Sequence, residues 1–187
     1  MNEIWQLWSG VLDDPTVHKI ITECEYYEPQ NANLGFGGDN TDNQVRRSEV
    51  RWVDRNDPNS RFIADLIWNF AEEANRDVFG FDITLIRDIQ YTIYKAQDLG
   101  KYDWHFDTFW ANPKTTDRKI SVIIQLSDPD DYEGGDFEID PQYVQPEGIR
   151  QKGSIFVFPS FLRHRVTEVT KGTRKSLVSW IEGPKFR

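Results

Sequence analysis

Thiols and thioethers are nearly missing from this chain, which has one cysteine, Cys24, and one methionine among 187 residues. A lone cysteine excludes an internal disulfide and fits a reducing cytosol. Cys24 reads as a small apolar residue on a helix rather than a reactive thiol. Positive charge is also short, since 22 Lys and Arg face 31 Asp and Glu, a formal net charge of −9. That balance argues against a broad grip on nucleic acid, whose phosphates call for a basic surface. No apolar run approaches the roughly 20 residues a membrane span needs, and no basic leader with an apolar stretch opens the chain. A soluble, cytoplasmic protein is expected, with no nucleic-acid or membrane partner.

Aromatic rings are plentiful instead, with seven Trp and twelve Phe. They suit an all-β or α+β core filled by large side chains, with an aromatic-walled cleft. The length supports one domain over 1–187, divided into helical and loop support (1–82) and a strand-rich core (83–187).

Asp13-Asp14-Pro15 is a helix start, a capping carboxylate with proline in the first turn, and Val17, Ile20, Ile21 and Cys24 follow at helical spacing. From Glu28 to Gln44 the chain is rich in Asn, Gly and Asp, with Gly35, Gly37 and Gly38 around Phe36. A loop of that length in a small domain is a candidate functional segment. Val45 to Val53 alternates as a strand does, and its neighbourhood carries Arg46, Arg47, Arg51 and Arg55, read as a solvated basic face. Asp57-Pro58 opens a second helix whose apolar side is expected at Phe62, Leu66, Ile67, Phe70 and Ala74, ending near Gly80.

Beyond it, strands are expected at 83–94, 102–107, 119–126, 136–139, 154–158, 164–169 and 175–181, separated by Gly, Pro and Asp turns. Such a run makes a sandwich or a barrel. The acidic stretch from Asp128 to Glu133 is read as a solvated turn.

Histidine is scarce: there are three, and His18 lies apart in the N-terminal helix. His105 and Asp107 are two positions apart, a spacing that on a strand turns both to one face. His164 sits in a separate strand-like stretch. Two imidazoles and one carboxylate make the facial triad that suits non-heme Fe(II) and leaves other coordination positions open. Arg174, ten positions beyond His164, supplies a planar cation able to hold a carboxylate bidentately. A zinc hydrolase could use the same ligand types, although no His-Glu-x-x-His helix motif is present. A non-catalytic ligand-binding β-barrel is the other rival, and it gives no reason for these four residues to occur together.

The stretches Tyr102-Asp103-Trp104-His105-Phe106-Asp107, Leu126 to Phe137 (with Glu133-Gly134-Gly135-Asp136), Gly153 to Ser160, His164 to Val169 and Gly172-Thr173-Arg174 carry a family resemblance in their order and separations. From about Ile83 to Ile181 the chain resembles the Fe(II)/2-oxoglutarate-dependent dioxygenases of the prolyl 4-hydroxylase-like, PKHD-type branch. The resemblance implies an α+β, mainly β fold, a double-stranded β-helix (jelly-roll) with the N-terminal helices packed on one sheet.

It further implies His105, Asp107 and His164 as ligands of Fe(II), and Arg174 as the partner of the distal carboxylate of the cosubstrate 2-oxoglutarate. A hydroxyl that completes that pocket is sought at Tyr94 first and Tyr102 second. O2 is the second cosubstrate and ascorbate a candidate reductant. Trp180, Trp104 and Trp110 are candidate lining residues. The implied substrate is a prolyl residue in a peptide or protein, with a free amino acid or other small molecule as the alternative, and the loop from Glu28 to Gln44 is implied as a segment that covers it. Oligomeric state is not legible in these residues.

Overall fold

The computed structural model describes residues 4–32, 44–111, 113–140 and 147–186. In chain order its elements are β1 (Gln6–Trp8), α1 (Asp14–Glu25), β2 (Gln30–Asn31), β3 (Arg46–Arg47), β4 (Glu49–Val53) and α2 (Arg61–Ala74). After these come β5 (Leu85–Lys95), β6 (Lys101–His105), β7 (Thr116–Gln125), β8 (Tyr132–Gly134), β9 (Phe137–Ile139), β10 (Ile155–Pro159), β11 (His164–Val166) and β12 (Val169–Pro184).

Two antiparallel sheets form the core. The larger runs β1-β10-β7-β12-β5-β4-β2, with β8 on the end of β12, and the smaller runs β3-β6-β11-β9. From β5 onward the strands alternate between the sheets except at β7 and β8, which both belong to the larger one. β10 shows how the sequence specifies this, because every residue of Ile155–Pro159 is buried. Ile155 and Val157 face a layer shared with the helices, whereas Phe156 and Phe158 face the layer between the sheets. A strand covered on both faces is continuously apolar rather than alternating.

α1 starts where Asp13 accepts a hydrogen bond from the Thr16 amide at 3.0 Å. It buries Val17, Ile20 and Cys24. α2 buries Ile63, Ala64, Ile67, Ala71 and Ala74. Ile67 and Ala74 are buried as expected, whereas Phe62, Leu66 and Phe70 are only half-buried, at the margin of the contact. Small residues take the centre of this helix–sheet contact and let the backbone approach closely. A π turn over Asn75–Phe79 follows and closes at Gly80, which is left-handed at φ 66°. Both helices belong to the apolar cluster that includes Ile89, Ile120, Ile155 and Ile181 of the larger sheet, so their placement on one sheet is as expected.

Several boundaries differ from the sequence reading, each for a pairing reason. The expected strand 45–53 is broken at Ser48, because β3 pairs with β6 in the smaller sheet while β4 pairs with β5 in the larger. β12 runs well past the expected 175–181, since its first residues find a partner in β8 and its last in β7. The support region also contributes β1 and β2, which the sequence did not reveal. Residues 33–43, most of the expected covering loop, lie outside the described residues. Among the described residues, no helix is long and apolar enough to cross a membrane.

Candidate metal centre and ligand pocket

The two sheets enclose a cleft of about 400 Å³, counting space open to solvent, whose walls include His105, Asp107, His164, Arg174, Tyr94 and Tyr102. One ligand-type atom from each of His105, Asp107 and His164 falls within 4.8 Å of the others. His105 ends β6 and His164 begins β11, and the two are directly paired in the ladder. Asp107 arrives differently from the sequence expectation. β6 stops at His105, and Asp107 lies beyond it in a turn fixed by Ser160, whose carbonyl accepts from the Asp107 and Thr108 amides at 3.0 and 3.1 Å. The backbone curls so that the carboxylate returns to the imidazoles without strand periodicity.

Both imidazoles have a fixed tautomer. His105 Nδ1 lies 2.7 Å from the Asp103 carbonyl, and His164 Nδ1 lies 2.8 Å from the Leu162 carbonyl. A carbonyl only accepts, so each Nδ1 carries the proton and each Nε2 keeps its lone pair. Those lone pairs point to one place: His105 Nε2 is 3.6 Å from Asp107 Oδ1, and His164 Nε2 is 3.5 Å from Asp107 Oδ2. Burial, with His164 alongside, pushes the His105 pKa down to about 3 and keeps its ring neutral. Burial alone would raise the Asp107 pKa, but His164, His105, Arg118 and a Ser121 hydrogen bond outweigh it and hold the carboxyl below its ordinary value.

Two imidazoles and a carboxylate, each oriented by a hydrogen bond from behind, are a donor set that fits a divalent iron ion. Ser121 Oγ supplies the bond to Asp107 Oδ2 at 2.6 Å and is itself bonded to Ser160 at 2.9 Å.

Arg174 lies deeper, on β12 and paired with Tyr94 of β5. It is 4% exposed, and among the described residues its Nη1 has no hydrogen-bond partner. An orphaned, buried guanidinium N–H in a pocket wall suits a carboxylate. Of the two tyrosines, Tyr94 is the one beside it, with the guanidinium 5.7 Å from the ring centre. Tyr102 instead stacks on His105 at 3.5 Å. Gly135, left-handed at φ 62°, lets the arginine stem pass, since a Cβ there would stand 3.1 Å from Arg174 Cδ. This gives a reason for the Gly-Gly pair of the sequence motif.

Other expectations are revised. Trp180 lines the cleft. Trp104 instead packs between Arg163 and Arg165, with guanidiniums 5.2 and 4.7 Å from its ring. Trp110 is exposed and leans on Phe186. The basic cluster is not a solvated face: Arg46 is buried in the cleft wall, Arg47 pairs with Glu168, Arg51 donates to the Glu25 and Tyr27 carbonyls, and Arg55 donates to the Arg87 carbonyl.

Ser121, Ser160, Arg46, Gln90 and Arg118 escaped the sequence reading. For Arg46 a signal existed, because adjacent strand residues must face opposite sides, so Arg46 and Arg47 cannot both be solvated on one sheet face. Ser121, a lone polar residue between Ile120 and Val122, carried a weaker hint. Arg118 stacks over Trp180 at 3.8 Å and approaches Asp88 at 3.5 Å, and nothing in its local sequence announced that.

Residues 89–182, half of the chain, match the family model described as the 2OG-Fe(II) oxygenase superfamily. A PKHD-type hydroxylase of Synechococcus sp. (strain CC9311) is 38% identical over 94 residues, covering 50% of this chain and 41% of that protein. The chain thus aligns with less than half the length of that curated relative. A Pseudomonas putida prolyl-4-hydroxylase superposes with a TM-score of 0.73 at 18% identity, covering 97% of this chain and 92% of the other. A prolyl hydroxylase from Trichoplax adhaerens, in complex with a peptide fragment of the hypoxia inducible factor oxygen degradation domain, gives 0.76 at 15% identity, covering 95% and 83%. At such identities the two structures establish a shared jelly-roll fold.

Proposed function

The chain belongs to the 2OG-Fe(II) oxygenase superfamily, and from that premise we propose that it is an Fe(II)- and 2-oxoglutarate-dependent dioxygenase. Its reaction is hydroxylation of a C–H bond, with a prolyl residue in a peptide or protein as the substrate and succinate and carbon dioxide as the other products. One observation carries this reading above all. The Nε2 lone pairs of His105 and His164 converge on the Asp107 carboxylate, in the same cleft as the unpartnered Nη1 of Arg174.

Bound Fe(II) with O2 and a 2-oxo acid supplies the oxidising power for an unactivated C–H bond, chemistry no side chain offers. The protein's part is positional. His105, Asp107 and His164 would hold the ion. Arg174 donates to the distal carboxylate and thereby selects a five-carbon dicarboxylate by length and charge. Tyr94 lies against that guanidinium and limits where it can swing. Phe137 and Phe158, packed around His164 at 5.4 and 4.9 Å, keep water from that side of the ligand. Trp180, with an unpartnered indole N–H, walls the mouth where a substrate ring would rest. The peptide class is supported by the peptide carried by the Trichoplax structure.

The test is succinate formation from 2-oxoglutarate with Fe(II), ascorbate and O2, read beside a proline-containing peptide library for the mass gain of one oxygen atom. Asp107→Ala abolishes turnover, and Arg174→Ala weakens 2-oxoglutarate binding while sparing metal binding. Full turnover of Asp107→Ala with iron supplied removes that ligand from the scheme. Absence of succinate under every metal condition removes the oxygenase reading itself.

A further inference from the structure

Arg46 lines the same cleft and has no part in the chemistry above. It is 7% exposed; its Nη2 donates to Gln90 Oε1 at 2.7 Å and its Nε to Ser48 Oγ at 2.9 Å. The guanidinium lies 4.4 Å from the centre of the Tyr102 ring. Since the His105 imidazole covers one face of that ring at 3.5 Å, Arg46 takes the other. Both hydrogen-bond acceptors are neutral, and among the described residues Arg46 enters no ion pair. A guanidinium cannot shed its proton, so a full positive charge stands in the wall with no anion beside it. Buried charges are ordinarily paired. Among the described residues, Arg46 has no such partner.

The cosubstrate does not supply it. In the reading above its distal carboxylate meets Arg174, and its 2-oxo acid end would be held at the metal centre. Arg46 also lies away from Arg174. Its partner Gln90 and the Arg174 neighbour Tyr94 are four positions apart on β5, roughly 13 Å at about 3.3 Å per residue. The ladder partners of Gln90 are Trp52 and Val178. Trp52 is 41% exposed and stands 6.4 Å from Trp180. Two indoles thus stand beside the strand position that anchors Arg46, and one of them, Trp180, lines the cleft together with Arg46.

We infer that Arg46, positioned by Gln90 and Ser48, is a specificity residue that binds a carboxylate of the substrate, which therefore carries an acidic group next to the residue hydroxylated. The inference rests on the oxygenase reading. Its scale is set by the stack, in which one ring separates Arg46 from the ligand His105. Neighbouring residues of a peptide are 3.8 Å apart at Cα, so a Glu or Asp beside the reacting residue spans that gap.

Capped tetrapeptides Ala-Pro-Glu-Ala and Glu-Pro-Ala-Ala, each beside its glutamine counterpart, are titrated into Fe(II)- and 2-oxoglutarate-loaded protein without oxygen. Tryptophan fluorescence reads binding through Trp52 and Trp180. At least one acidic peptide binds about tenfold more tightly than its amide twin, the size expected of a charge-assisted hydrogen bond. Arg46→Gln reduces the preference to less than about twofold. Gln90→Glu does the same by giving the guanidinium a carboxylate from the chain itself, and it serves should Arg46→Gln unfold. Equal affinity within both pairs, or no binding of any peptide, overturns the inference. So does an Arg46→Gln variant whose altered titration is that of 2-oxoglutarate, which would assign the arginine to the keto acid. Because quenching needs no turnover, a protein that forms no succinate yet keeps the acidic preference would sink only the oxygenase reading.

Discussion

Tyr102 and His105 stack face to face, 3.5 Å between ring centres and 13° between planes, although three positions separate them on one strand. Alternation would turn residues at that spacing to opposite faces. The ladder explains the exception: β11 advances two residues, from His164 to Val166, while β6 retreats three, from His105 to Tyr102. The extra residue is a β-bulge, the device by which sheets re-aim a side chain near a functional site. Here it puts an aromatic plate behind a metal-ligand candidate.

The plate has a measurable consequence. Tyr102→Ala leaves one face of the His105 ring unsupported, and metal affinity is expected to fall about tenfold, the lower end for loss of a group that orients a ligand. Tyr102→Phe keeps the stack and is expected to bind metal as the native protein does. Titration with Fe(II) or a stand-in such as Mn(II) separates the two. An equal loss in both variants would assign the effect to the hydroxyl instead, favouring Tyr102 over Tyr94 as the hydroxyl of the carboxylate pocket.

Asp107 gives a second prediction. Ser121→Ala deletes the 2.6 Å bond to Oδ2 from a serine 0% exposed. The carboxylate then loses one of the forces that orients it and lowers its pKa. Metal affinity should drop about 10- to 100-fold, with a small change in melting temperature because the Ser160 hydroxyl remains nearby. A variant with native affinity would show that the Ser160 carbonyl turn alone places Asp107.

These two residues illustrate what the sequence disclosed and what it withheld. The triad and Arg174 were legible because their chemistry is rare in this chain: two of three histidines, with a carboxylate and a guanidinium at characteristic offsets. The strands of the second half were legible as short runs separated by Gly, Pro and Asp turn residues. Strand ends were not, since the lengths of β12 and β6 depend on partners distant in sequence. Nor was the burial of Arg46. A run of arginines in a polar segment looks solvated until β3 and β4 are known to enter different sheets. The supporting groups, Ser121, Ser160 and Gln90, are ordinary polar residues whose importance arises only from the three-dimensional arrangement.

Gly135 supplies a third prediction, with an internal control. An alanine there meets Val169 Cγ2 at 2.8 Å and Arg174 Cδ at 3.1 Å, at a left-handed φ of 62°. The arginine stem has to shift, so Gly135→Ala should raise the Kd for 2-oxoglutarate about fivefold or more while metal affinity holds, because misplacing a binding group by a fraction of an ångström weakens its hydrogen bonds. Gly80 has a similar φ of 66°, but a methyl added there would meet nothing within 4 Å. Gly80→Ala should lose about 1 kcal/mol of stability from backbone strain and leave the 2-oxoglutarate titration unmoved. Identical titrations for both variants would mean that Arg174 is held from elsewhere.

Glu49 ties β4 to β5 and makes a pH-dependent contribution. Its carboxylate accepts from Lys95 Nζ at 2.8 Å and Arg51 Nη2 at 3.1 Å. The Lys95 hydrogen bond is the largest cause of a lowered pKa, opposed by burial and assisted by the charges of Lys95 and Arg51. A carboxyl with a lower pKa in the folded than in the unfolded chain stabilises the fold above the unfolded value, about 4.3 for Glu. That contribution is lost as pH falls through the folded value. Glu49→Gln should therefore be less stable than the native protein at pH 7, by on the order of 1 kcal/mol or less for a partly solvated pair. The gap should close as pH drops below about 4, where the native side chain also becomes uncharged. Urea midpoints measured for both proteins at pH 7 and pH 3 provide the comparison. A gap of the same size at both pH values would show that Glu49 acts through packing rather than charge.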